Sequence, residues 1–114
     1  TLKLAVNALF AIQVAALGEL HAAIEGAELD RDRALDALAS LPVTSPAAGA
    51  ALGSMRARTF DPMFPIALVE KDLTYALAEG DLPMVRAARD VFARAIEAGH
   101  GGRNITGVRA LYER

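Results

Sequence analysis

The sequence has no cysteine and no tryptophan, and only 5% of its 114 residues are aromatic. Without cysteine there are no disulfides and no thiolate metal sites. Without large rings, alanine and the branched aliphatics must form the core, because 54% of the residues are still hydrophobic. A chain of this size supports about one domain with a single core, and that composition favours closely packed helices. An excess of one charge is missing too. Twelve basic against 14 acidic residues give a formal net charge of −2, so there is no electrostatic footprint for nucleic acid or an anionic membrane. The most apolar run, residues 4–17, falls short of the ~20 residues that span a bilayer, and Asn7 and Gln13 interrupt it. No cleavage-like boundary follows it, which argues against a signal peptide. The chain opens on Thr1, already inside a helical pattern, and is read as a piece of something longer.

Nothing breaks a helix from Leu2 to about Gly26, with Gly18 the one weak point. Up to Leu17 the run is apolar on nearly all sides, which predicts burial on every face, in a core or between subunits. Asp30 then caps a helix over 31–41, which ends before Pro42. Ser45 followed by Pro46 predicts a third helix over 46–52. Residues 54–65, with Pro62, Pro65 and two phenylalanines, read as an ordered loop. A fourth helix is expected over 65–79, stopped by Gly80, and a fifth over 83–99, started by Pro83. The glycine turn G-H-G-G at 99–102 precedes a last short helix over 105–112. No stretch alternates long enough for a strand. The expected class is all-α, a single helical domain over 1–114 with five to six helices around a long N-terminal apolar helix.

The informative residues are the polar ones in apolar places. Lys3 and Asn7 lie four positions apart, hence about 40° apart on the helix and one turn along it, so both can reach one small object. A buried ammonium costs several kcal/mol unless something receives it, roughly speaking. Either Lys3 serves chemistry, or it sits in an exposed first turn where its stem reaches water. His21 returns to the face of Lys3 but lies ~27 Å along the helix, and as a lone histidine on a half-polar face it reads as a surface residue. With only His21 and His100, and no cysteine, a zinc site has almost nothing to be built from, nor is there a Ser-His-Asp set. Further on, Phe64, Leu68, Lys71 and Tyr75 form one helical stripe with Asp72 beside it. Lys71 is the anomaly there, and the plain reading pairs it with Asp72 or Glu70.

Taken together, K-L-A-V-N at the head of the long helix and F-P-I-A-L-V-E-K-D-L about sixty residues later resemble the C-terminal domain of the β-hydroxyacid dehydrogenases. That family includes 3-hydroxyisobutyrate dehydrogenase and is related to 6-phosphogluconate dehydrogenase. The resemblance covers essentially the whole chain, through the G-H-G-G turn. It implies an oxidoreductase using NAD or NADP on a small hydroxyacid or aldehyde-acid, a homodimer, and a cytoplasmic location with no nucleic acid or membrane partner. It implies Lys3 as general acid/base, made effective by a dry apolar setting in which an amine trades protons near neutrality. Asn7 and Asp72 are implied at the substrate, and Phe64 and Lys71 at the cofactor. A Rossmann domain is expected upstream, with the nucleotide bound mainly there. Asn104 departs from the aspartate that family members often carry after the final glycine turn.

Two other readings accompany this one. A stand-alone helical association module would use the first helix as a subunit interface without chemistry. An imine reductase would usually lack the lysine found at position 3.

Overall fold

The computed structural model describes residues 1–113; Arg114, the last position of the expected domain, lies outside the described residues. Five α-helices follow in order: α1 (Leu2–Gly26), α2 (Arg31–Ser40), α3 (Pro46–Ala57), α4 (Ile66–Ala76) and α5 (Pro83–Glu97). A 3-10 turn, Leu77–Glu79, extends α4, and a terminal 3-10 helix covers Ile105–Tyr112. No strand occurs among the described residues, and one isolated bridge joins Pro65 to Asn104. The all-α expectation holds, with α1 as the central element.

Local chemistry explains most boundaries. Asp30 accepts the Arg33 N–H at 3.2 Å and Ser45 accepts that of Ala48 at 3.1 Å, each satisfying a donor the helix start leaves open. Ser45 also donates to Gln13 Oε1 at 2.8 Å, so one of the two polar interruptions of α1 receives the cap of α3. Proline opens α3 and α5, where its missing N–H costs nothing. The third helix is longer than expected: Ser54 to Ala57 are helical, not loop, because nothing in S-M-R-A breaks the pattern. It ends where Arg58 takes the left-handed conformation, φ 56°, and its N–H returns to the Ser54 and Met55 carbonyls.

The core runs along one side of α1, through Ala8, Ala11, Val14, Ala15 and Leu17, against Met55, Ile66, Leu73, Phe92 and Val108 of the other elements. Gly18 is no weak point here. A Cβ on it would stand 3.3 Å from Val108 Cγ1 and 3.6 Å from the Arg109 nitrogen, so its bareness lets the terminal 3-10 helix lie against α1. Within this chain α1 is not buried on every face, which leaves the expected alternative of burial between subunits. Leu2, Val6 and Leu9 are 78%, 57% and 59% exposed, because the first three turns are packed on one side only. By length and composition α1 could cross a membrane, but the central helix of a folded core satisfies the same measure.

Candidate functional site

Two tertiary contacts fix the register of α1 on α4. The Thr1 hydroxyl donates to Glu79 Oε1 at 3.4 Å, and Asn7 Nδ2 donates to Asp72 Oδ2 at 3.4 Å. Rising residue numbers on one helix meet falling numbers on the other, so the pair is antiparallel. Ala8 and Ala11, small and buried, let the axes approach on this side of α1. Asn7 and Asp72, 65 residues apart in sequence, thereby form a half-buried polar pair. Lys3 stands one helical turn before Asn7 on the same face and is exposed.

The expected dry setting of Lys3 is therefore not met within this chain. Burial of the amine needs atoms on its outer side, and the described residues supply none there, as the exposure of its neighbours Leu2 and Val6 also records. The face is open. A cleft of about 450 Å³ lies instead at the far end of α1, lined by Glu25, Arg58, Arg109 and Tyr112 among others. At ~1.5 Å per residue that is some ~30 Å from Lys3. We place the candidate site at the Lys3 face because three of the five expected residues converge there through an observed contact and helical register, and cleft volume alone carries no chemistry.

Lys71 is exposed, in a stripe that faces solvent: Leu68 is 47% and Tyr75 57% exposed. Its ammonium stands 6.0 Å from the centre of the Tyr75 ring, within reach of a cation–π attraction. The expected pairing with Asp72 or Glu70 is corrected: no such ion pair forms among the described residues, because neighbours in sequence point about 100° apart on a helix, and Asp72 receives Asn7 while Glu70 receives the Thr74 hydroxyl at 3.0 Å. Phe64 is half-buried against the core. It precedes α4 and lies eight residues before Asp72, ~12 Å along the axis and, in the antiparallel register, on the side of the Asn7–Asp72 pair away from Lys3.

Two polar features escaped sequence reasoning. His21, expected on the surface, is 1% exposed. Arg109 Nε donates to its Nδ1 at 2.6 Å, and Arg109 Nη2 lies 3.4 Å from Glu25 Oε1, which is itself 3.1 Å from His21 Nδ1. Because the guanidinium can only donate, Nδ1 is the bare nitrogen and the ring proton is assigned to Nε2. Burial first, then the Arg109 charge, holds this imidazole below its ordinary value of 6.5, with Glu25 pulling the other way. The contact spans 88 residues, and no local pattern announces it. The second is Asn104, whose Oδ1 accepts the N–H groups of Met63 and Phe64 at 3.1 and 2.9 Å. An asparagine two residues after a glycine turn is the signal that could have suggested such a cap.

The domain is thus all-helical, with Lys3, Asn7 and Asp72 on an open face at the head of its central helix. A family model described as NAD-binding of NADP-dependent 3-hydroxyisobutyrate dehydrogenase matches residues 1–112, and the chain belongs to this family of NAD(P)-dependent oxidoreductases. No curated protein matches the sequence. Among solved structures the chain is similar to 3-hydroxyisobutyrate dehydrogenase from Salmonella typhimurium, with TM-score 0.85 and 22% identity over 97% of this chain and 41% of that one. It is also similar to the 3-hydroxyisobutyrate dehydrogenase of Mycobacterium tuberculosis, solved with L-serine, with TM-score 0.80 and 22% identity over 98% of this chain and 42% of that one. At this identity the likeness concerns the fold, and the chain spans about two-fifths of either relative's length.

Proposed function

We propose that the chain is the helical substrate-binding and dimerisation domain of a cytoplasmic enzyme that moves a hydride between NAD or NADP and a small β-hydroxyacid or semialdehyde. A Rossmann domain upstream holds most of the cofactor in this reading. The observation that carries it is the Asn7–Asp72 contact one helical turn from Lys3, at the open end of the central helix.

The side chains present suit such ligands. Lys3 and Lys71 offer exposed cations toward an anionic cofactor or a substrate carboxylate, and Phe64 offers a half-buried ring against which a flat heterocycle can rest. The nicotinamide, when bound, supplies or takes up the hydride. The rest falls to this chain. The Lys3 ammonium gives a proton to the substrate carbonyl oxygen during reduction and recovers it from the hydroxyl during oxidation. Asn7, with its Nδ2 engaged by Asp72, turns its Oδ1 toward a substrate hydroxyl or the Lys3 ammonium, which fixes the direction of proton transfer. Asp72 holds that amide in place, and Lys71 and Phe64 receive the cofactor end. The open face explains why Lys3 is wet in the isolated domain: the atoms that dry it belong to the partner domain, and closing it over this face strengthens every charge interaction beneath.

The test uses the full-length parent enzyme. Lys3→Ala is expected to lower steady-state turnover by ~10²-fold or more with nicotinamide binding retained. Unchanged turnover would remove the proton-transfer role.

A further inference from the structure

We infer that Asn104 is a positioning residue that acts through Phe64, fixing the ring at the cofactor end of the site; this rests on the reading of Phe64 in the proposed function. The segment 58–65 between α3 and α4 has no helix or strand of its own. Pro62 and Pro65 contribute no N–H, so the segment has few ways to fix itself. Beyond the turn that ends α3 and the Arg58–Glu113 ion pair, its attachments run to the stretch 103–105. The Asn104 N–H donates to the Phe60 carbonyl at 3.0 Å, the Ile105 N–H to the Phe64 carbonyl at 2.8 Å, and the Ile66 N–H to the Arg103 carbonyl at 2.9 Å.

Those are backbone contacts that any residue could make. Within the segment, the N–H groups of Met63 and Phe64 both end on Asn104 Oδ1. Met63 is 93% exposed and holds nothing in place by packing. The amide cannot swing away, because Asn104 Nδ2 donates at 3.1 Å to the hydroxyl of Thr106, which is 2% exposed. One side chain thus holds the two peptide planes that flank the Met63 Cα, the second of which ends at the Phe64 nitrogen; with the Ile105 N–H holding the plane beyond the Phe64 carbonyl, this side chain sets the direction in which the ring leaves the backbone. Removing it leaves the backbone contacts and the core packing intact, so the segment stays folded while the ring loses its fixed direction. Aspartate preserves the device: a carboxylate oxygen accepts both N–H groups, and the Thr106 hydroxyl turns to donate instead of accept.

The experiment compares Asn104→Ala, Asn104→Asp, Phe64→Ala and the Asn104→Ala/Phe64→Ala double variant in the full-length enzyme, measuring kcat and the cofactor KM separately. Asn104→Ala is expected to raise the cofactor KM by ~10-fold, Asn104→Asp to stay within about twofold of the parent, and Asn104→Ala to add less than about twofold when Phe64 is already alanine. Thr106→Val, which frees the amide without changing the shape of the residue, is expected to give a smaller KM rise of the same kind. The inference is overturned if both Asn104→Ala and Thr106→Val keep the parent's KM, or if the Asn104 and Phe64 losses simply multiply. Parent kinetics in Phe64→Ala alone would instead remove the cofactor role of Phe64, and the inference with it. A loss in Phe64→Ala without one in Asn104→Ala removes only the positioning role.

Discussion

At His21 a single bare ring nitrogen ties the middle of α1 to the end of the chain through Arg109. The charged groups that act on the imidazole are Glu25 on the same helix, Arg109 on the terminal 3-10 helix, Arg31 on α2 and Arg56 on α3, three cations against one carboxylate. A proton arriving on Nδ1 would meet the Arg109 guanidinium. The folded-state pKa lies below the unfolded value of 6.5, so the unfolded chain binds the proton more readily. Stability from this group is full above about pH 6.5 and is lost as pH falls through that value toward the folded pKa. The melting temperature is therefore expected to drop between about pH 7.5 and pH 5.5, and His21→Gln, which keeps an acceptor for Arg109 without titrating, to flatten that slope. An equal slope in both proteins would refute the assignment. The residue scale is also where the sequence was least legible. Histidine on a half-polar face has no local sign of a partner 88 positions away, and the wetness of Lys3 depends on atoms outside this chain's own packing.

At the scale of elements, legibility follows from whether the signal is local. Asp30, Ser45–Pro46, Gly80 and Pro83 each fix a helix end by capping or by backbone geometry, and the observed ends follow them within a residue or two. The end of α3 was illegible because Arg58, an ordinary residue in a left-handed conformation, does what a glycine usually announces. The role of Gly18 was likewise hidden, since its reason lies across the bundle at Val108 and Arg109. A large side chain there must displace the terminal 3-10 helix or bend α1. Gly18→Leu is expected to destabilise the domain by roughly 2 kcal/mol or more, although leucine has the better helix propensity. Denaturant unfolding measures it, and a stabilised variant would contradict the packing described. The Asn7–Asp72 contact belongs to this scale too. The one-turn spacing of Lys3 and Asn7 was visible in the sequence, but the antiparallel register that delivers Asp72 to Asn7 appears only in the packed helix pair.

The whole molecule has a covered end and an uncovered one. Around His21 and Phe92 the helices enclose their side chains fully, whereas Leu2, Val6 and Leu9 at the head of α1, with Met84 at 66% exposure on α5, remain in water. That apolar surface suits association, with a second copy or with the domain expected upstream. The domain is expected to sediment as a dimer, and Val6→Asp together with Leu9→Asp to shift it toward monomer. A monodisperse monomer of the parent sequence would leave that surface to the upstream domain alone. The uncovered end is also the one that bears Lys3, where the chemistry is proposed.

The most direct test of that claim is a single-turnover measurement on the full-length enzyme with cofactor and hydroxyacid both saturating, following the nicotinamide absorbance. With Lys3→Ala the hydride-transfer rate is expected to fall by ~10²-fold or more at undiminished cofactor affinity. A transfer rate equal to that of the parent would contradict it.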